Sequence, residues 1–338
     1  MSTPRPAGWR RPRAGRAAAC ALAALAVAAG CGHKKKEKLP WGLGVATFDA
    51  VALGLARART ADPFVDGIRP GRLVIPTYDG SGQATHPDVI VERDAGGVRA
   101  VMAMTPYPFS NGRLENPSVL VSGDGMRFAP PAGLTNPLVP APPTDHNNDP
   151  DLRRDPRTGG YELLYLESLR PATQVLVALR SPDLVHWQRT DAIVYDLAHG
   201  APFIVSPAAI DHGGKTYLFY VETEARALRV RVSADGRWDP AGGQPVELAL
   251  GGVTPWHVDV VAGDGAFALL ISGYVGDFNH QDLYLATSPD LVHWTLRPTP
   301  LLDHADPALA VESLYRSTAV VDHGTLIVWY AMQYRPAG

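Results

Sequence analysis

From Arg72 onward the apolar positions come in short runs, such as residues 161–166, 174–180, 267–272 and 282–287, with Gly, Pro and Asp between them. Runs of this length bounded by turn residues predict β-strands, and their regular spacing predicts a sandwich, a barrel or a propeller. Upstream the pattern is weaker. Residues 47–59 place Phe48, Val51, Leu53 and Leu55 at ragged helical spacing, which predicts a short helix inside a lead-in of residues 39–70.

A repeat decides among the three architectures. Ser181-Pro-Asp183-Leu-Val-His-Trp187 returns as Ser288-Pro-Asp290-Leu-Val-His-Trp294, and looser copies begin at Ser122 and Ser233. The steps between the four serines are 59, 52 and 55 residues, a period typical of stacked supersecondary units. Ser and Asp bond the backbone of their own turn, and an aromatic side chain then packs beneath it. Each copy therefore joins the two outer strands of a small antiparallel sheet. A second series opens the inner strands: His86-Pro-Asp88, Asp149-Pro-Asp151, Ser206-Pro-Ala208, His257-Val-Asp259 and Tyr315-Arg-Ser317. Five openings against four turns predict an all-β, five-bladed β-propeller over residues 71–338, its ring closed by an N-terminal strand expected at residues 72–77. In such a ring the inner strands all start at one mouth of the central channel.

The first 30 residues read as a signal peptide: five arginines, an apolar core at residues 17–29 too short to span a bilayer, then Ala28-Ala-Gly-Cys31. That ending resembles the lipobox of bacterial lipoproteins, which implies lipidation of Cys31 and a place on the periplasmic or extracellular side of the cell envelope. Cys20 falls within the signal, so Cys31 has no partner for an internal disulfide. The run His33-Lys-Lys-Lys-Glu-Lys38 reads as a solvated spacer near the membrane. Removing five arginines from 31 basic residues leaves 26 against 34 acids, a net charge of −8, which argues against a nucleic-acid partner. A monomer is expected.

The Ser-x-Asp-Leu-x-x-Trp turns, with Pro-Asp and Asn-Asp-Pro pairs opening inner strands, resemble the five-bladed propellers of glycoside hydrolase family 43 and its relatives in families 32, 68 and 117. The resemblance implies three acids at the channel mouth. Asn148-Asp149-Pro150-Asp151 overlays the second-blade pattern and matches at Asp151; His86-Pro87 overlays the first-blade Asp-Pro pattern, with Asp88 following; Val205-Ser206-Pro207 stands where the third-blade acid Glu belongs. The expected roles are therefore Asp88 or Asp149 as base, Asp151 in support, and Glu115, from a loop that also carries Tyr107, Asn111 and Arg113, as acid.

His86, Asn148, His257, Asp259, Tyr315 and Arg316 are expected to bind substrate at the same mouth, and Trp256 offers a flat face for a sugar. Asp145-x-Asn147-x-Asp149-x-Asp151 alternates oxygen side chains, but Pro150 and Pro156 stand where an EF-hand needs Gly and Glu. A calcium ion in the central channel beside His257 stays open. The reading is a surface-tethered, glycan-active protein of glycoside hydrolase type; the alternative is a carbohydrate-binding lipoprotein without catalysis.

Overall fold

The computed structural model describes residues 38–334 apart from 236 and 239–242. The signal peptide and Cys31 lie outside the described residues. Those residues form five antiparallel sheets. Blade 1 holds Ala84–Asp94, Gly97–Pro106 and Ser118–Ser122; blade 2 holds Asn147–Arg154, Tyr161–Leu169, Thr173–Ser181 and Gln188–Asp196. Blade 3 runs from Ile204–His212 through Lys215–Glu222 and Ala227–Ser233 to Gln244–Pro245. Blade 4 contains Thr254–Ala262, Phe267–Tyr274, Asp282–Ser288 and Thr295–Leu296. The expected outer strand near Leu301 is thus displaced, since Leu302 makes only a bridge to Leu283.

Blade 5 closes the ring with the order Val311–Asp322, Thr325–Tyr334, Trp41–Asp49, Gly71–Arg72. The closing strand is therefore Trp41–Asp49, paired along its whole length from Trp41 opposite Gln333 to Asp49 opposite Thr325. Of the expected strand at 72–77, only Arg72 pairs, at the outer edge of the blade. The expected helix at 47–59 is replaced by the end of this strand and a turn, in which the Asp49 carboxylate accepts from Val51 N and Ala52 N. The short helix in this region is Pro63–Gly67, capped by Asp62.

Alternation along each strand gives every sheet two apolar faces. Leu163 and Tyr165 pack toward blade 1 with Val101 and Val119, while Leu164 and Leu166 pack toward blade 3 with Ile204 and Leu218. Similar clusters fill the other three seams. At about 1.5–3 kcal/mol for each fully buried large apolar side chain, these wedges outweigh the surface ion pairs, worth about 0–1 kcal/mol each. The Ser-x-Asp turns have the expected form. Asp183 Oδ1 accepts from Val185 N and His186 N at 2.9 Å, and Asp290 Oδ1 repeats this with Val292 N and His293 N. Leu184 and Leu291 are left-handed there, at φ 69° and 65°, and Gly125 fills the same place in the first copy at 69°.

Candidate functional site

Each inner strand is interrupted by a bulge near its start: between Thr85 and Asp88, Asn148 and Asp151, Val205 and Ala208, Pro255 and His257, and Leu314 and Ser317. An extra residue at such a point re-aims its side chain. His86, Asp149 and Ser206 take up the bulge in left-handed conformation, at φ 51°, 53° and 56°, each followed by proline. A non-glycine residue held there costs about 1–3 kcal/mol, and such residues gather at functional sites.

The bulges turn His86, Asp149 and His257 toward one point, with a nitrogen or oxygen of each within 4.8 Å of the others. All three are buried. His86 Nε2 lies 3.2 Å and His257 Nδ1 3.4 Å from Asp149 Oδ1. Neither approach forms a hydrogen bond, and His86 Nε2, Asp149 Oδ1 and both ring nitrogens of His257 have no hydrogen-bond partner. The remaining valences are used to orient the groups. His86 Nδ1 bonds Thr105 Oγ1 at 3.0 Å, and Asp149 Oδ2 accepts from Asn148 Nδ2 at 2.8 Å and Ser206 N at 3.0 Å. Burial pushes His86 down to about 4 and His257 well below the usual imidazole range. Burial works against the Asp149 charge too, yet His86, His257, Arg316 and the Ser206 N–H hold it down to about 2. At neutral pH the trio is one carboxylate and two neutral imidazoles with free lone pairs meeting at a point. This donor set fits a divalent transition metal such as zinc, with Thr105 fixing the ring from behind.

Below this trio Asp88, Asp151 and Asp259 form a second buried group, again with oxygens within 4.8 Å of one another. Their bonds run across the seams. Asp88 Oδ2 accepts from Leu152 N at 2.7 Å, Asp151 Oδ2 from Ala209 N at 3.1 Å, and Thr318 Oγ1 donates to Asp88 Oδ1 at 3.1 Å. Arg316, fully buried, donates to Pro207 O and places Nη1 3.7 Å from Asp149 Oδ1. Burial raises all three acids, Asp259 to about 7, helped by the Asp88 charge. The structure thus separates Asp149 from Asp88 and Asp151: the first faces the imidazoles, the other two face each other and tie blades together.

Glu115 stands on the rim, 4% exposed. Its loop is pinned to the entry of blade 2, where Asn147 N donates to Glu115 O and Asn147 Nδ2 to Asn116 Oδ1. Its Oε2 lies 3.6 Å from His146 Nε2, His146 Nδ1 lies 2.6 Å from Asp145 Oδ1, and Arg170 holds Asp145 from the other side. Burial, then the charges of Asp149 and Asp145, raise Glu115 well above the usual carboxyl range. A buried carboxyl that keeps its proton near an anion is placed to act as an acid. The alternating oxygens of the Asp145 to Asp151 run disperse: Asp145 goes to Arg170, Asn147 to Asn116, Asp149 to the imidazoles and Asp151 to Asp88.

Tyr315 closes the wall opposite, its ring 4.3 Å from that of His257 and 5.0 Å from Trp41, with Trp256 Nε1 donating to its hydroxyl at 3.0 Å. Trp41 also packs on Tyr107. Sequence reasoning missed Trp41, Thr105 and His146. His146 was hidden between Asp145 and Asn147 in the oxygen run, and Trp41 sat in a lead-in read as outside the ring.

The sequence matches no protein-family model. It is similar to the A type blood N-acetyl-alpha-D-galactosamine deacetylase of Flavonifractor plautii, at 28% identity over 78% of this chain and 42% of that protein. The chain thus spans about two-fifths of the length of that relative. Among solved structures, an N-acetylgalactosamine deacetylase from F. plautii in complex with blood group B trisaccharide superposes with a TM-score of 0.66 at 24% identity, covering 74% of this chain and 80% of that one. A thermostable family-43 glycoside hydrolase superposes at 0.52 and 13%, covering 78% and 88%. These likenesses share the propeller fold.

Proposed function

We propose that this protein acts on glycans as a hydrolase that removes the N-acetyl group of an amino sugar. The observation that carries the reading is the meeting of three unpartnered atoms, one each on His86, Asp149 and His257, at one buried point. The deacetylase activity of the F. plautii relative supports it. His86 Nε2, Asp149 Oδ1 and a nitrogen of His257 would hold a divalent metal, which when bound supplies a water of lowered pKa and polarises a carbonyl. As water adds to the acyl carbon, forming the carbon–oxygen bond and giving a proton to solvent, the Glu115 carboxyl, kept protonated by burial, donates to the amide nitrogen while the carbon–nitrogen bond breaks; acetate and the free amine leave, and Glu115 regains its proton from solvent. Tyr315 OH donates a hydrogen bond to the substrate, and Trp41 and Tyr107 shape the wall beside it.

Glycoside cleavage, expected from the resemblance, is less well served. Val205, an apolar and buried side chain, occupies the place of the third-blade acid, and the adjoining Ser206 spends its hydroxyl on Val258, donating to its O and accepting from its N. Asp88 and Asp151 spend an oxygen each on a neighbouring blade. We propose further that a lipid on Cys31 tethers the mature chain to the cell envelope; mass spectrometry of the N-terminal peptide and release of a Cys31→Ser variant from membranes test it.

The activity test gives the zinc-supplemented protein glycans ending in N-acetylgalactosamine or N-acetylglucosamine and measures acetate, free amine and released sugar. Acetate with an equal amount of amine and no released sugar supports the proposal. Released sugar without acetate would favour glycoside hydrolysis, and binding without either product would favour the non-catalytic reading.

A further inference from the structure

Away from the central trio, His280, His304 and Glu312 line a cavity of about 450 Å³. They come from three segments. His280 stands in the turn after Phe267–Tyr274, His304 in the connection from blade 4 to blade 5, and Glu312 at the start of Val311–Asp322. Each imidazole is held by a carboxylate at one nitrogen. His304 N and Nδ1 bond Asp282 Oδ1 at 2.8 and 2.7 Å, and Asp303 Oδ1 lies 3.9 Å from the same Nδ1. His280 Nδ1 lies 2.9 Å from Asp277 Oδ2, and Asp277 is itself fixed by Asn279, whose N and Nδ2 donate to its Oδ1. A carboxylate at Nδ1 keeps the ring proton there and leaves a lone pair on Nε2, the arrangement that supports a metal-bound histidine.

The spacing suits a single ion. His280 Nε2 lies 3.5 Å from Glu312 Oε1, and the ring centres of His280 and His304 are 5.3 Å apart. Two ligand atoms each about 2.0–2.1 Å from a tetrahedral ion are roughly 3.3 Å from one another, and two imidazoles so placed have ring centres roughly 5 Å apart. The donors narrow the class. Two nitrogens and a carboxylate favour a divalent ion of the zinc, copper or nickel kind over calcium or magnesium, which take oxygen. The side chains of His280, His304 and Glu312 are 40%, 27% and 22% exposed, against 2% or less for the central trio. A site on exposed loops is held less rigidly, so its ion binds more weakly than the central one.

We infer that His280, His304 and Glu312 form a second transition-metal site, whose ion clips blade 4 to the entry of blade 5. Glu312 stands three and four residues before Tyr315 and Arg316, so the ion braces the strand that carries both into the centre. The inference does not rest on the deacetylation reading. Calorimetric titration of the full protein with zinc should show two steps, one tight and one weaker. His280→Gln and His304→Gln should each weaken the second step by at least about a hundredfold, beyond the usual loss for a supporting bond, and spare the first. Asp149→Asn should do the reverse. The zinc that Asp149→Asn still binds should raise its urea midpoint, because only the folded chain holds the ion, and adding His304→Gln should abolish the rise. A single weak step, lost in His304→Gln and kept in Asp149→Asn, supports this site while the central metal fails. A single step that only Asp149→Asn removes, a second step that survives both histidine variants, or no bound zinc overturns the inference. Since a variant can lose zinc by misfolding, the unaltered chain is also treated with diethyl pyrocarbonate and its peptides are weighed by mass spectrometry. Zinc should cut modification of His280 and His304 several-fold; equal modification with and without zinc overturns the site.

Discussion

His86 Nε2 and Asp149 Oδ1 lie 3.2 Å apart across the seam between blades 1 and 2, each in a left-handed bulge, and neither atom has a hydrogen-bond partner. Two buried polar atoms left in this state are costly unless something completes them. A divalent ion held between them would do so for both at once. Asp149→Asn keeps a side-chain oxygen for the Ser206 N–H but removes the charge, so the variant should fold and lose the zinc held there. Calorimetric titration should show affinity lowered by at least a hundredfold, and acetate release should fall with it. Zinc binding unchanged in the variant would remove the basis for the metal site.

Thr105 tests the same site at one remove. It touches His86 Nδ1 and orients the ring. Thr105→Val keeps the shape and deletes that bond, and loss of such a supporting bond typically costs about 10–100-fold in metal affinity or activity. The metal titration and the rate should fall together, with high zinc restoring part of the rate.

Glu115→Gln removes a titrating proton without changing the volume of the side chain. The rate should drop by roughly 10²–10⁴-fold, the usual share of a general acid, with KM little changed. The pH profile carries the sharper signature. Glu115 is raised well above its ordinary range by burial, so a mechanism needing its protonated form loses rate as pH climbs through the raised pKa. The residual rate of the variant should lack that alkaline fall.

The three lower acids predict a pH-dependent stability. Asp259 rises from 3.8 to about 7 through burial and the Asp88 charge, so the folded chain holds this proton more tightly than the unfolded one. Its contribution to stability is complete below about 3.8 and is lost as pH rises through about 7. Urea midpoints taken at about pH 5 and about pH 8 should show the folded state weakening at the higher value, and Asp259→Asn should flatten the difference. A wild-type midpoint that does not fall would mean the group stays ionised.

Much of this was readable in the chain. The Ser-x-Asp turns and the five strand openings are local chemistry, repeated at a period, and they predicted the blades. They also placed His86, Asp149 and His257 at one mouth, because every inner strand of a propeller starts there. The closing strand was not readable. Trp41–Asp49 contains Gly42 and Gly44, which weaken a strand signal, yet a Cβ on Gly44 would fall 2.5 Å from the Tyr330 ring and one on Gly42 3.1 Å from Tyr334. The glycines are there for partners nearly 300 residues away, and no local pattern can announce that. The division between Asp149 and the lower acids was hidden for a similar reason, since a bulge decides it and the two Pro-Asp pairs look alike in sequence.

The closing strand gives the fifth prediction. Leu43 is fully buried between blades 5 and 1 with Trp329 and Met102. Leu43→Ala should cost about 2–5 kcal/mol, read from the shift of the urea midpoint at constant slope. A chain begun at Gly71 lacks the strand altogether and should give no cooperative unfolding transition.

A ring whose final seam is zipped by its earliest strand also sets an order of events during synthesis. Trp41–Asp49 emerges from the ribosome long before Thr325–Tyr334, the neighbour it pairs with along its whole length. Until then its backbone groups stand open to any other chain, the situation in which strand edges aggregate. The nascent protein therefore has reason to be kept extended by a chaperone until the last blade has been made.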